Sequence, residues 1–232
     1  KSYKTKSGDT IDAVKDIDLH VAEGEILAFL GSNGAGKTTT IEILEGFRDR
    51  TAGDVLVLGQ DPQTAPRSWR EDIGIVLQES QPDADLTARE AVGMYASYYG
   101  APRPVDEVLQ IVGLGDSAGQ RTKALSGGQK RRLDLAIALV GDPKLIFLDE
   151  PTTGLHFDDV QKLLKAFDAL IAMGHTVCVI EHHLDVVKLS DWLIELGPEG
   201  GDAGGKIIHA GLASDILSVK DSPTGSCLRQ TT

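Results

Sequence analysis

The sequence predicts an α/β fold in which a mainly parallel sheet is interrupted by a helical insertion. Two observations indicate this class. A compact apolar run at 26–30 is followed by a glycine-rich loop at 31–36 and then by a helical pattern from Lys37 to about Gly46. The stretch from 87 to 140 is mainly helical, and strand-length apolar runs lie on both sides of it. The glycines therefore lie between a strand and a helix.

The other elements follow from the same periodicities. Strands are predicted at 11–21, 55–58, 73–77, 145–148, up to Ile180, at 192–196 and at 206–209. Helices are predicted at 87–99, 104–112, about 128–140 and briefly after Leu212. A further helix is indicated by a core-facing apolar stripe, formed by Val160, Leu163, Leu164, Phe167 and Ile171.

Composition favours a globular protein without membrane spans. The chain has 232 residues, 41% of them hydrophobic, and 26 glycines, which suits one folding unit with many tight turns. The apolar runs at 145–148 and 177–180 are far shorter than a membrane span. The sequence begins without a charged and apolar leader, so a cytoplasmic protein is expected. Any role at a membrane then requires another chain to cross it.

Charge and cysteine content argue against two classes of partner. The formal net charge is −12 with no basic block, which weighs against DNA as the main ligand. Cys178 and Cys227 are far apart and form no CxxC pair, so the sequence predicts neither a zinc site nor a disulfide framework. Cys178 lies between valines and is interpreted as a small core residue, whereas Cys227 lies in a polar tail.

Residues 31–38 match the phosphate-binding pattern GxxxxGK[ST], with the required strand before and helix after. They read Gly31, Ser32, Asn33, Gly34, Ala35, Gly36, Lys37 and Thr38. Such glycines let backbone N–H groups converge on phosphate oxygens at the positive end of a helix. Lys37 is expected to reach the β- and γ-phosphates, and Thr38 to ligate Mg²⁺. A helix-capping glycine turn is the competing interpretation.

An acid pair, Asp149-Glu150, ends the apolar strand at 145–148. Phosphoryl transfer needs one carboxylate to hold Mg²⁺ and a second to polarise water, and this pair can supply both. Acid pairs at strand ends also occur as solvated turns. The pair therefore completes the phosphate chemistry only in combination with the glycine-rich loop.

The sequence Leu125-Ser126-Gly127-Gly128-Gln129 lies just before a predicted helix and upstream of the acid pair. With these three motifs in this order, the chain resembles the ATP-binding-cassette (ABC) ATPase family over essentially its full length. The resemblance implies an α/β P-loop NTPase (RecA-like) core with an antiparallel β subdomain and an inserted α-helical subdomain. It implies one domain over 1–232, with the core at 1–78 and 141–232 and the helical subdomain at about 79–140.

The resemblance also implies ATP and Mg²⁺ as ligands and a second ABC domain as partner in a head-to-tail dimer. In that dimer, Ser126, Gly127 and Gly128, followed by Gln129, would close over the γ-phosphate held by the partner's loop. A serine followed by glycines is also typical of a helix N-cap and turn, so the nucleotide-binding and the capping interpretations apply to the same residues.

Other roles are carried over from the family residue by residue. Tyr3 lies where the family places an aromatic ring against adenine, and Thr39 extends the phosphate loop. Gln78 matches the glutamine that contacts Mg²⁺, and His182 matches the histidine that contacts the γ-phosphate. The resemblance assigns water activation to Glu150 and Mg²⁺ binding to Asp149.

Two branches of the family are represented. Residues 1 to about 154 resemble the ATP-binding component of a bacterial drug or antibiotic exporter, with GEILAFLGSNGAGKTTTIEIL and LSGGQKRRLDLAIALVGDPKLIFLDEPTTGL. Residues from about 150 to 232 resemble the C-terminal end of UvrA, the damage-sensing ATPase of the bacterial excinuclease, with GLHFDDVQKLLKAF and VIEHHLDVVKLSDWLIELGPEGGDAGG. His156 stands where exporters usually carry aspartate, and it is expected either to affect communication between two ATP sites or simply to cap or flank the helix that begins near Asp158.

Three functions remain open. The favoured one is an ATPase that powers a separate membrane permease, at the inner face of the cell membrane, because the region from Gln78 to Leu125 resembles exporters. A UvrA-like repair ATPase that binds DNA has the C-terminal resemblance, but such proteins have two cassettes and zinc-bearing insertions. A regulatory ATPase without a transporter, as in translation-associated members, also has two cassettes in one chain.

Overall fold

A computed structural model describes residues 1–4, 8–15, 17–78, 82–197 and 205–231. In chain order, its strands are β1 Ser2–Lys4, β2 Thr10–Asp12, β3 Ile26–Gly31, β4 Ile73–Val76, β5 Leu145–Asp149, β6 Thr176–Ile180, β7 Trp192–Gly197 and β8 Lys206–Leu212. Its α-helices are α1 Lys37–Leu44, α2 Ala88–Ala96, α3 Val105–Ile111, α4 Gly127–Leu139, α5 Phe157–Ala172, α6 Leu184–Leu189 and α7 Pro223–Thr231. Helices alternate with strands, so the predicted α/β class is confirmed.

The described chain divides into two compact units. The first unit comprises Lys1–Ala22, Ile26–Trp69 and Ile180–Thr232, and the second comprises Glu23–Glu25 and Arg70–Val179. These bounds do not test the predicted division into a core and a helical subdomain at about 79–140, which stays a prediction. Residues 79–81 at its start, residue 16 of the predicted strand 11–21 and the stretch 198–204 of the UvrA-like segment lie outside the described residues.

In the first unit, strand β3 is apolar and almost completely buried. It pairs in parallel with β7, from Leu27 opposite Trp192 to Gly31 opposite Leu196. Strand β8 pairs antiparallel with the other edge of β7, and the short strands β1 and β2 form a separate antiparallel pair. Because β3 is buried on both faces, its apolar run has no alternation.

The C-terminal tail of the first unit, from residue 222 onward, is held by hydrogen bonds to one buried acid. Glu195 of β7 accepts hydrogen bonds from the Ser222 hydroxyl and from the backbone N–H and hydroxyl of Thr224. A Cβ on Gly225 would lie 2.3 Å from the carbonyl oxygen of Ile216, so a larger residue does not fit there. These contacts explain why the tail carries serine, threonine and glycine where helix α7 begins.

In the second unit, β4 pairs in parallel with β5, from Ile73 opposite Leu145 to Val76 opposite Leu148, and β6 lies beside β5. Helices α2, α3 and α4 all follow β4 and precede β5, which is the helical insertion that the sequence predicts. Helix α2 begins with a reciprocal capping box between Thr87 and Glu90.

Three details of the sequence interpretation are wrong. Among the described residues of the predicted strand 11–21, only Ile11 and Asp12 belong to a strand, β2; exposure still alternates from 17 to 21, but alternation cannot supply a pairing partner. At 55–58 a single bridge joins Val57 to Gln60, because a turn with a left-handed Leu58 (φ 51°) reverses the chain. On α5, Leu164 and Ile171 are half-exposed, and the buried stripe is Val160, Leu163, Ala166, Phe167 and Leu170.

Candidate functional site

The glycine-rich loop of the first unit connects β3 to α1 as predicted. Gly34 and Gly36 have φ angles of 81° and 99°, which only glycine adopts without strain. A Cβ on Gly36 would lie 2.4 Å from the carbonyl oxygen of Ala13, and one on Gly31 would lie 2.5 Å from that of Leu196. Packing as well as turn geometry therefore requires the first and last glycines of the motif.

Lys37 opens α1 and folds back over the loop. Its Nζ donates to the carbonyl oxygens of Gly31 at 2.6 Å and Ser32 at 3.1 Å, and the residue is only 6% exposed. The first N–H groups of a helix have no partner within the helix, so this loop combines N–H donors with an ammonium group. The chemistry fits a phosphate anion. Next to Lys37, Thr38 is exposed and Thr39 is half-buried.

Tyr3 lies beside the first turn of α1. Its hydroxyl is 3.5 Å from Oγ1 of Thr39, and its ring is flanked by Nζ of Lys1 at 5.2 Å and Cζ of Arg48 at 5.5 Å from the centroid. A hydrogen bond to Glu42 is the main cause of a raised pKa of the Arg48 guanidinium. The ring is thus fixed near the loop, and its role toward adenine stays a prediction.

His182 follows β6 and is exposed. Its backbone N–H and that of His183 both donate to Oε2 of Glu181, at 2.7 and 3.0 Å. Glu181 is buried, and the sequence analysis missed it, although an acid at the end of an apolar strand was a usable signal. His183 accepts a hydrogen bond from the N–H of Asp185 and caps α6. His183 therefore has a structural role, and contact of His182 with a phosphate stays a prediction.

In the second unit, the structure brings together two predicted residues that are distant in sequence. Nε2 of Gln78 donates to Oε2 of Glu150 at 3.1 Å, and the Thr153 hydroxyl donates to the same oxygen at 3.2 Å. Glu150 has a positive φ of 44°, which is uncommon for a residue with a side chain and is typical of functional turns. Asp149, the last residue of β5, is half-buried beside it.

Arg131 supports this pair, and the sequence analysis did not single it out. It is 8% exposed on α4, and its guanidinium donates to the carbonyl oxygens of Leu77, Gln78, Asp149 and Pro151. An arginine two residues after the LSGGQ motif was visible in the sequence, but its partners are 18 to 54 residues away. Only the fold could identify them.

The LSGGQ segment forms the start of α4 as predicted. Ser126 is the N-cap, and its side chain and that of Gln129 form a reciprocal capping box. Gly127 is exposed. A Cβ on Gly128 would lie 2.1 Å from Cγ of Asp159, so α5 packs directly on this glycine. The capping interpretation of the motif is confirmed, and its role toward a nucleotide stays a prediction.

Arg132, four residues after Gly128 on the same helix, also contacts Asp159. Its Nη1 donates to the carbonyl oxygens of Val112 at 3.2 Å and Gly113 at 2.7 Å, and its Nη2 is 3.6 Å from Oδ1 of Asp159. Burial lowers the pKa of this guanidinium, against the opposing effect of Asp159. His156 is the N-cap residue of α5 but makes no side-chain capping bond, so it flanks the helix without capping it.

The predicted site residues thus fall into two groups. Tyr3, the loop at 31–39 and His182 belong to the first unit, whereas Gln78, the Asp149-Glu150 pair and the motif at 126–129 belong to the second. Cys178 is buried in β6, as predicted for a core residue, and Cys227 is exposed on α7. Within the described residues, no helix is long and apolar enough to cross a membrane.

Solved structures resemble nearly the whole chain. The ATP-binding cassette MJ0796, in a dimeric structure bound to ADP and Pi, is 26% identical with a TM-score of 0.77, over 92% of this chain and 95% of that one. The cbiO1 protein of Clostridium perfringens, part of the ABC transporter complex cbiONQ, is 27% identical with a TM-score of 0.81, over 99% of this chain and 91% of that one. The predicted P-loop NTPase fold is therefore confirmed.

Curated relatives are more similar in sequence but are far longer. UvrABC system protein A of Rickettsia typhi is 52% identical over 126 residues, which is 53% of this chain and 13% of that protein. The Thermus thermophilus protein of the same name is 46% identical over 148 residues, which is 62% of this chain and 15% of that protein. Both matches cover more of the chain than the stretch 150–232, so the similarity to UvrA begins before the predicted boundary.

The family model described as ABC transporter matches residues 14–153. The matched range includes the glycine-rich loop, Gln78, the LSGGQ motif and the Asp149-Glu150 pair, whose geometry is given above. It covers more than half of the chain, and the ABC cassettes of known structure share the fold. The chain belongs to the ABC transporter family and is an ABC ATPase domain.

Proposed function

We propose that this chain hydrolyses ATP as one cassette of a head-to-tail pair and thereby powers a separate membrane permease of the drug- or antibiotic-exporter type. The observation that carries the hydrolytic part is the pairing of Gln78 with Glu150 at the end of a buried strand. A carboxylate at that position can take a proton from water, and the neighbouring amide oxygen can coordinate a cation. Water activation requires this arrangement.

The first unit supplies phosphate binding. The ammonium of Lys37 exchanges its loop carbonyl partners for phosphate oxygens, and the N–H groups at the start of α1 donate to the same anion. Glycine at 34 and 36 keeps this backbone turned toward the ligand. Ser32, Asn33 and Gly34 are exposed, so the loop is accessible to a nucleotide.

In the second unit, the Asp149 carboxylate and the side-chain oxygen of Gln78 are the groups suited to Mg²⁺; in the first unit, the Thr38 hydroxyl is. Hydroxyl, carboxylate and amide oxygens are the hard ligands that Mg²⁺ prefers, so these residue types fit the ion. The amide nitrogen of Gln78 is directed at Glu150, which leaves its carbonyl oxygen as the group suited to a cation. The ion would neutralise charge on the transferring phosphate.

Glu150 accepts the proton of the attacking water as the water oxygen bonds to the γ-phosphorus and the bond to the β,γ-bridging oxygen breaks. Its hydrogen bonds from Gln78 and Thr153 fix the orientation of the carboxylate while the residue holds its left-handed backbone. Ser126, Gly127 and Gly128 of a second cassette complete the site. The dimeric structures of MJ0796 support a paired state.

Two observations favour a permease as the partner. The transporter cassettes of known structure match 92–99% of this chain. Large apolar side chains are also exposed in the second unit, with Leu77 56%, Met94 41% and Tyr98 74% exposed. Exposed apolar side chains are groups that a partner protein can cover. The working location is then the inner face of the cell membrane.

A second candidate is an ATPase of the UvrA type that binds damaged DNA. The higher identity to UvrA, 46–52% against 26–27% for the transporter cassettes, favours it. The net charge of −12 opposes it, because a DNA-binding surface needs local positive charge. The two candidates share the ATPase chemistry and differ in their partner.

Hydrolysis is tested by Glu150→Gln, which retains the shape of the side chain and removes the base. Turnover is expected to fall by about 10²-fold or more, and an ATP-bound dimer to accumulate in size-exclusion chromatography with ATP. Glu107→Gln, an exposed acid paired with Arg103, is the control and should leave turnover unchanged. Lys37→Ala should instead weaken MgATP binding. Unchanged turnover in Glu150→Gln would rule out its assigned role.

The partner is tested by fluorescence anisotropy with plain and damaged duplex DNA and MgATP, at low and near-physiological salt. The permease proposal expects no binding at either salt. Binding that persists at the higher salt and prefers damaged duplex would replace the permease proposal by the UvrA-type function.

A further inference from the structure

Arg131 joins two backbone segments of the second unit that carry the proposed chemistry. Its Nη1 donates to the carbonyl oxygens of Leu77 and, at 3.4 Å, Gln78, in the segment that leaves β4. Its Nη2 donates to the carbonyl oxygen of Asp149, and its Nε to that of Pro151 at 3.3 Å, in the turn that leaves β5. One side chain therefore connects both segments.

These segments start side by side, because Val76 is the register partner of Leu148 in the parallel pair of β4 and β5. The ladder between β4 and β5 ends with this pair, so beyond it ladder hydrogen bonds no longer fix the separation of the two backbones. The guanidinium of Arg131 takes over this function where the strands stop. Gln78 and Glu150 then lie with their side chains at hydrogen-bond distance.

The geometry specifically needs an arginine. A guanidinium presents five N–H donors in a planar fork, and here all three nitrogens are used, on two segments. A lysine ammonium carries its three N–H donors on one nitrogen and cannot span both segments. Arg131 is also largely buried, so water does not readily replace a lost bond.

We propose that Arg131 is a positioning residue for ATP hydrolysis, which sets the Gln78–Glu150 geometry and couples it to the LSGGQ helix. This inference rests on the proposed ATPase function. Ser126 caps α4 and Arg131 lies on the second turn of the same helix, so a displacement of α4 moves the guanidinium and both segments attached to it. The catalytic pair thus responds to whatever contacts the helix.

The test is Arg131→Lys, compared with Arg103→Lys as a matched control. Arg103 also joins two segments of the second unit, through Asp142 at 2.7 Å and Glu107 at 2.9 Å, but it touches none of the proposed site residues. Arg131→Lys is expected to lower kcat about tenfold or more while the KM for ATP changes little, because misplacement costs rate more than binding. It should also raise the Mg²⁺ concentration for half-maximal rate about tenfold. Arg103→Lys should leave kcat and the Mg²⁺ dependence unchanged.

A double-mutant cycle with Gln78→Ala separates positioning from general loss of structure. If Arg131 acts through Gln78, the effect of Arg131→Lys on kcat should shrink to about threefold or less in the Gln78→Ala background. A merely structural role predicts the same loss of kcat in both backgrounds. Thermal unfolding of each variant shows whether the chain remains folded at the assay temperature.

The outcomes distinguish this inference from the proposed function. No hydrolysis by the wild-type chain, or hydrolysis indifferent to Glu150→Gln, would overturn the proposed function and this inference with it. Hydrolysis abolished by Glu150→Gln but unchanged in Arg131→Lys would overturn the inference alone. Additive effects in the double-mutant cycle would likewise reject positioning through Gln78.

Discussion

Replacing Glu195 by glutamine tests how the C-terminal helix is held in the first unit. Glu195 is 2% exposed, and its Oε1 accepts from the backbone N–H of Thr224 at 3.1 Å and from the Thr224 hydroxyl at 2.6 Å. Its Oε2 accepts from the Ser222 hydroxyl. Glutamine has nearly the same shape, but it replaces one accepting oxygen by an NH₂ donor.

The size of the effect follows from these partners. The amide oxygen is expected to stay with Thr224, because an NH₂ group there would meet two donors. The Ser222 hydroxyl already accepts from the N–H of Gly225 at 2.8 Å, and its own hydrogen then loses its acceptor. Two charge-assisted bonds become neutral, at about 0.5–1 kcal/mol each, and one buried hydroxyl is left unsatisfied, at about 1–2 kcal/mol. The expected loss is about 3 kcal/mol.

The assay is urea unfolding combined with hydrogen exchange of the amides in α7. Glu195→Gln should lose about 3 kcal/mol, and the protection of α7 should fall before that of β3. Ser222→Ala removes one of the three donors and should lose about 1 kcal/mol. Glu107→Gln is the exposed control, and its effect should stay within about 0.5 kcal/mol. A Glu195→Gln chain as stable as the wild type, with α7 equally protected, would refute this account of the tail.

Two further predictions concern the loop and a helix cap. Gly31→Ala should reduce MgATP affinity, measured by isothermal titration calorimetry, and destabilise the chain, because its Cβ would lie 2.5 Å from the carbonyl oxygen of Leu196; wild-type affinity would contradict this. Hydrogen bonds from the backbone N–H and then the hydroxyl of Thr87 lower the pKa of Glu90. The cap therefore stabilises α2 above the ordinary pKa of glutamate, and this contribution is lost as the pH falls through the lowered pKa. Thr87→Ala should raise the pKa of Glu90 partway in an NMR titration, and an unchanged pKa would contradict the role of the hydroxyl.

Local order along the chain explains which elements were predictable. The strand, loop and helix around residues 26–44 and the start of α4 depend on contacts within a few residues, so spacing and residue type indicate them directly. The alternation at 17–21 did not produce a strand, because pairing depends on a distant partner that the pattern does not contain. The strand predicted at 55–58 does not form for the opposite reason, because a local turn at Leu58 prevails over strand propensity.

Residue type and spacing predict the chemistry of this protein. The glycine-rich loop, the acid pair after β5 and the LSGGQ cap are short motifs whose residue types indicate phosphate, magnesium and helix-capping contacts. Which distant groups meet depends on the tertiary structure: Gln78 with Glu150, Arg131 with two strand ends, and Glu195 with the C-terminal tail. The physical reason is that these contacts join residues 18 to 72 positions apart, and strand register and helix packing, not local spacing, bring them to hydrogen-bond distance.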